Sequence, residues 1–236
     1  MNRLPLDLAV AQPAVTAGDL EVTVAAHVAA VRAAVARVVA FPEMSLTGYA
    51  IDAPSIALDD PALDPLVAVC ASAGTLALVG APITDHDGND HIAVLAVDGD
   101  GVTVAYRKVW VDESEAGRFA PGSGPAVVEV DGWRLGLAVC RDTRFAEHDA
   151  ATAAMGIDVY LAGAVHHAAG GDVTAERARR VALDRGVWAA TASFAGPTGG
   201  GFDTTAGGSG IWAPDGEPVA RAGPDPDEIA KASLRP

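Results

Sequence analysis

Cysteine is almost absent from this chain: Cys70 and Cys140 are the only two in 236 residues. Two thiols make neither a disulfide framework nor a four-ligand zinc site. Long apolar runs are missing as well. The best candidate, HVAAVRAAVARVVAF, is interrupted by Arg32 and Arg37 and does not read as a bilayer-spanning helix. The short apolar stretch at the N-terminus contains Asp7 and leads straight into a fold-like pattern, so no secretory leader is expected and a cytoplasmic location is. Positive charge is scarce, with 16 basic residues against 31 acidic ones and a formal net charge of -15. Such a surface repels nucleic acid and anionic membrane, which argues against both as partners. Internal repeats and the glycine spacings of nucleotide-binding loops are lacking too.

What is present is apolar and periodic. Half the residues are hydrophobic, enough for a substantial core, and no linker divides the chain, so residues 1–236 read as one domain. Strand-like segments near 4–10, 75–81, 91–97, 102–108, 126–130, 133–140, 157–162, 187–194, 210–213 and 228–234 alternate with helical patterns near 19–38, 62–73, 144–155 and 173–186. The chain is therefore α/β. Near 19–38, Leu20, Val24, Val28, Val31 and Val35 form one apolar stripe at threes and fours, with Asp19 as the expected cap. Cys70, within DPLVAVCASAG, reads as a small buried helix residue. The segment GPTGGGFDTTAGGSG reads as a flexible loop before a late strand.

Cys140 is different. It ends the apolar run WRLGLAV and precedes the polar turn RDTRF, which delivers a thiol to the C-terminal end of a buried strand, where open α/β sheets usually place their chemistry. Glu43 follows VVAF in FPEMSLTGY, and Lys108 ends the alternating segment VTVAY in YRKVWV. The lysine is conspicuous, because Lys108 and Lys231 are the only lysines among the 16 basic residues. Taken singly, the three are a packing cysteine, a turn glutamate and a solvated strand-end lysine. Only together do they point to chemistry.

In order and context, Glu43, Lys108 and Cys140 resemble the Glu-Lys-Cys triad of the nitrilase superfamily of carbon-nitrogen hydrolases, in its amidase-like branch. Further similar stretches are LDLAVAQPA, ALVGAPI, GRFAPG, RARRVALDRGVWAATAS and GGSGIWAPDGEP, so the resemblance covers nearly the whole chain. It implies a four-layer αββα sandwich that pairs with a second copy through helices as a homodimer. It also implies cofactor-independent hydrolysis of a small amide or carbamoyl compound, with ammonia released. In that scheme Glu43 takes the thiol proton, Cys140 forms a thioester, and Lys108 with the Arg141 backbone N–H holds the oxyanion. A second carboxylate belongs beside the lysine; Glu115 matches it, and Glu113 is close enough to compete. Tyr49 and Phe145 resemble positions near the substrate pocket, although an aromatic at either place also suits plain core.

Two departures bear on the substrate. Arg141 follows the cysteine where amidase branches often carry tyrosine and nitrilases tryptophan, which reads against nitriles and offers a guanidinium to a substrate carboxylate. AVHHAAGG replaces the tryptophan-containing segment expected after IDVYLAG. Adjacent His166 and His167 would point in opposite directions from an extended segment, so they read as pocket lining or exposed residues and not as a chelating pair. Asp142 and Arg144 read as scaffold, the arginine pairing with an acid such as Glu147. An omega-amidase-like activity on dicarboxylate monoamides and an N-carbamoyl amine hydrolase both stay open. The alternatives are acyl transfer from the same thioester and a non-catalytic small-molecule binding role. The intact triad speaks against the latter.

Overall fold

In the computed structural model, which describes residues 3–170 and 172–236, the chain folds into two six-stranded sheets. The strands are β1 (Leu6–Gln12), β2 (Val38–Ala40), β3 (Leu76–Thr84), β4 (Asp90–Asp98), β5 (Gly101–Arg107), β6 (Val127–Val130), β7 (Trp133–Val139), β8 (Val159–Ala164), β9 (Trp188–Ser193), β10 (Gly210–Trp212), β11 (Pro218–Arg221) and β12 (Glu228–Leu234). One sheet has the order β12-β1-β2-β3-β4-β5 and the other β11-β10-β9-β8-β7-β6. Their centres, β1-β2-β3 and β7-β8-β9, are parallel, and the flanking strands are antiparallel. Parallel neighbours need crossovers, supplied here by α1 (Leu20–Ala34), α2 (Asp64–Ala73), α3 (Ala146–Ala153) and α4 (Val173–Arg185).

Side-chain alternation builds the layers. On β1, Leu6, Leu8 and Val10 join Leu135, Leu137 and Val139 of β7 in the core between the sheets. Ala9 and Ala11 point the other way, against Val24, Val28 and Val31 of α1. On the far side, Ala138, Tyr160 and Ala162 pack with Val181 of α4. The result is the helix-sheet-sheet-helix sandwich expected from the resemblance.

Several local expectations shift. Asp19 caps α1 as expected, accepting from the Val22 N–H at 3.1 Å, but the helix stops at Ala34. Val35 takes a left-handed backbone (φ 44°) and is 72% exposed, so it leaves the apolar stripe. The next apolar residues become β2, a strand absent from the periodicity because three residues are too few to alternate. The short strand β11 was not anticipated either. Arg144 is exposed and makes no ion pair with Glu147 among the described residues, because that turn leaves its side chain in solvent. The glycine-rich segment is not a loose loop: the Thr198 N–H donates to Phe202 O and the Phe202 N–H to Gly199 O. Gly200 comes so close to Tyr49 that a Cβ there would lie 2.0 Å from the Tyr49 carbonyl oxygen. Cys70 is buried and free. No described helix is long and apolar enough to cross a membrane.

Candidate active site

Three strand ends meet at one place. Glu43 lies in the turn after β2, Lys108 directly follows β5, and Cys140 directly follows β7. The Glu43 turn nests against two glycines. A Cβ on Gly80 of β3 would sit 2.3 Å from Met44 N, and one on Gly163 of β8 would sit 2.8 Å from Phe41 O. Only glycine admits so close a backbone approach. The turn is also pinned from outside, since Ser45 Oγ accepts from the Gly80 N–H at 3.2 Å and bonds His27 Nε2 at 3.0 Å. Cys140 has a left-handed backbone (φ 38°), a strained state for a residue with a side chain, of a kind that clusters at functional sites. The Thr143 hydroxyl donates to the Cys140 carbonyl at 2.6 Å and tightens the turn.

Within the site, Lys108 Nζ donates to Glu43 Oε1 at 2.7 Å and to both Glu115 oxygens at 2.7 Å. All three side chains are sealed from solvent, with Glu43 and Lys108 1% exposed and Glu115 0%. Glu115 is held further by the Tyr49 hydroxyl at 2.5 Å and by the Asp112 N–H at 2.7 Å. Glu113 is exposed, so the geometry separates the two glutamates that the sequence left in competition. The Cys140 thiol donates to the Val165 carbonyl at 3.5 Å. Glu43 Oε2 is buried without a hydrogen-bond partner among the described residues.

The electrostatics follow from this crowding. Burial raises Glu43 from 4.5 to about 7; Lys108 opposes the rise and Glu115 adds to it. Burial, with the Glu43 charge, pushes the Cys140 thiol up to about 12. Burial works against the Lys108 charge, yet Glu43, Cys140 and Glu115 together hold it above its ordinary value. The resting site is therefore a protonated thiol beside an ammonium and two carboxylates, one of which titrates near neutrality.

The remaining candidates divide. Tyr49 belongs to the site through Glu115, and its ring meets Phe202 edge-on at 5.2 Å. Phe202, which no sequence pattern singles out, in turn stacks on His167 at 3.9 Å. Phe145 stacks on Trp110 at 4.0 Å, beside Arg141. The Arg141 guanidinium, expected to receive a substrate carboxylate, is paired with Asp112, and both side chains are partly exposed. His166 is pulled down to about 4 by burial and by Arg177, and so is neutral. No group of three or more His, Cys, Asp or Glu side chains among the described residues is arranged to hold a metal ion.

The family profile for carbon-nitrogen hydrolases matches residues 7–236. The "Hydrolase in pqqF 5'region" of Pseudomonas protegens is 32% identical over 225 residues, which cover 91% of this chain and 76% of that protein. Among solved structures, Saccharomyces cerevisiae Nit3, a member of branch 10 of the nitrilase superfamily, superposes with a TM-score of 0.88 at 20% identity, over 100% of this chain and 92% of that one. An amidase from Nesterenkonia sp. superposes with a TM-score of 0.86 at 24% identity, over 100% and 92%. At such identities these two structures speak for the fold. With the profile spanning nearly every residue and a relative above 30% identity along most of its length, the chain belongs to the carbon-nitrogen hydrolase family.

Proposed function

We propose that this protein hydrolyses the C–N bond of a small linear amide or carbamoyl compound through a thioester on Cys140. The observation that carries the reading is the buried cluster in which Lys108 bridges Glu43 and Glu115 while Glu43 keeps one oxygen unpartnered. A thiol that titrates only near about 12 is not a thiolate at neutral pH, so it needs a base at the moment of attack. Glu43 is that base. Its carboxylate takes the Cys140 proton as sulfur bonds to the substrate carbonyl carbon. The oxyanion that forms is held by the Lys108 ammonium and the Arg141 N–H. Collapse breaks the C–N bond, and the leaving nitrogen takes the proton from Glu43 and departs as ammonia. A water then gives its proton to Glu43 and attacks the thioester, and collapse returns the thiol and a carboxylic acid. Glu115, fixed by Tyr49 and Asp112, orients Lys108 throughout.

Support for a linear amide comes from the fold neighbours, which include a mutant of the Nesterenkonia amidase with the acetamide moiety of fluoroacetamide added at its active-site cysteine. Tyr49 and Phe145 are proposed to border the acyl group. Assembly as a helix-mediated homodimer belongs to the same proposal.

The test is ammonia release from a panel of small amides, carbamoyl compounds and nitriles, on the native chain and on Cys140→Ala. An amide whose turnover falls by on the order of a thousandfold or more in the variant names the substrate class. Turnover that survives Cys140→Ala sinks the thioester. Silence on every compound sinks the linear-amide assignment and points to acyl transfer or binding.

A further inference from the structure

We propose that Asp142, Tyr106, His148 and Tyr160 form a one-directional hydrogen-bond chain that positions the Cys140 turn against the Lys108 segment for oxyanion stabilisation. This rests on the reading of Cys140 as the nucleophile. Asp142 is 0% exposed and has no cationic partner among the described residues, an expensive arrangement for a carboxylate. Three donors compensate it. Oδ2 accepts from the Val139 N–H at 2.9 Å and the Tyr106 hydroxyl at 2.7 Å, and Oδ1 accepts from the Trp110 N–H at 2.8 Å. Val139 immediately precedes Cys140, and Trp110 is two residues past Lys108. One carboxylate therefore ties the nucleophile segment of one sheet to the lysine segment of the other.

The rest of the chain sets the direction of every proton. Because Asp142 only accepts, the single Tyr106 proton goes to it. His148 Nε2, 2.8 Å from the Tyr106 oxygen, must then donate to that oxygen. Burial lowers His148 from its ordinary value, so the ring is neutral and carries one N–H. That leaves Nδ1 as an acceptor, and the Tyr160 hydroxyl donates to it at 3.0 Å. With each group used once, the network has a single low-energy arrangement across β5, α3 and β8, which makes it a stiff support for the turn. These four are positioning residues and touch no substrate.

The experiment compares two reactions of the same thiol. Acetylation by p-nitrophenyl acetate passes through an oxyanion; alkylation by iodoacetamide does not. Tyr106→Phe is expected to slow the acetylation burst by about tenfold or more, while the alkylation rate stays within about twofold. Tyr160→Phe, which removes one hydroxyl at the far end, should slow acetylation in the same direction by about threefold. Asp142→Asn should be the most severe, because its amide turns a donor toward a donor. Equal slowing of both reactions, or slowing of neither, overturns the proposal. If Tyr106→Phe or Asp142→Asn fails to fold, Tyr160→Phe decides it. A burst that persists in Cys140→Ala would instead overturn the assignment of the nucleophile, a distinct outcome.

Discussion

At Glu43, burial and charge compete, and burial wins. The carboxyl sits 2.7 Å from an ammonium, a neighbour that alone would depress it, yet desolvation lifts it to about 7. With its ionised form as the proposed base, Cys140 reactivity should rise with pH through about 7 and fall below it as Glu43 gains a proton. Alkylation of Cys140 by iodoacetamide, followed against pH, reads this directly. In Glu43→Gln the limb near 7 should vanish and leave only the thiol's own, far more alkaline rise. A limb that persists in the variant would assign the base elsewhere. The three proposed catalytic residues stand out in sequence because strand ends are local features: an apolar run stops and a polar or ionisable residue follows. Sequence favours Glu115 without excluding Glu113, since two residues apart they share one context. Only the fold buries one of them against Lys108. The pairing of Arg141 with Asp112 was not legible, because the two lie 29 positions apart.

At the level of elements, the site depends on how tightly the Glu43 turn nests between β3 and β8. Gly163→Ala places a methyl 2.8 Å from Phe41 O, and the turn must move away. The expected result is a loss of activity of roughly a hundredfold from a displacement near 1 Å, with about 1–3 kcal/mol of destabilisation from overpacking. Kinetics beside a denaturant melt check this, and an active, normally stable variant would contradict it. The outer support predicts a pH effect on stability. Burial lowers His27 to about 4, opposed by its bond to the Thr23 carbonyl, so the native ring stays neutral while the unfolded ring charges below about 6.5. The unfolded state then binds the extra proton, and stability should fall as pH drops from 6.5 toward 4, by roughly 3 kcal/mol at full titration. Thermal melts across that window test it, and His27→Gln should flatten the dependence. Element positions were largely legible from periodicity. β2 was not, because its role is set by strands on either side and not by its own three residues.

Across the whole molecule, two sheets each contribute to one site: Glu43 and Lys108 come from the first and Cys140 from the second. Any change in how the sheets face each other alters the distance between base, ammonium and thiol. The proposed homodimer would stiffen that relation, and light scattering should return twice the mass of the chain at micromolar concentration; a mass equal to one chain would remove assembly from the proposal. The sequence by itself determined the α/β alternation and the strand ends, and nominated the three residues on them proposed to react, because each is written in a short window of hydrophobicity followed by polarity. Tertiary structure alone decided which carboxylate meets Lys108, where the Arg141 charge is spent, and that Tyr106, His148 and Tyr160 line up behind Asp142. Those outcomes depend on contacts between residues far apart in the chain, at spacings of a few ångströms that no local pattern encodes.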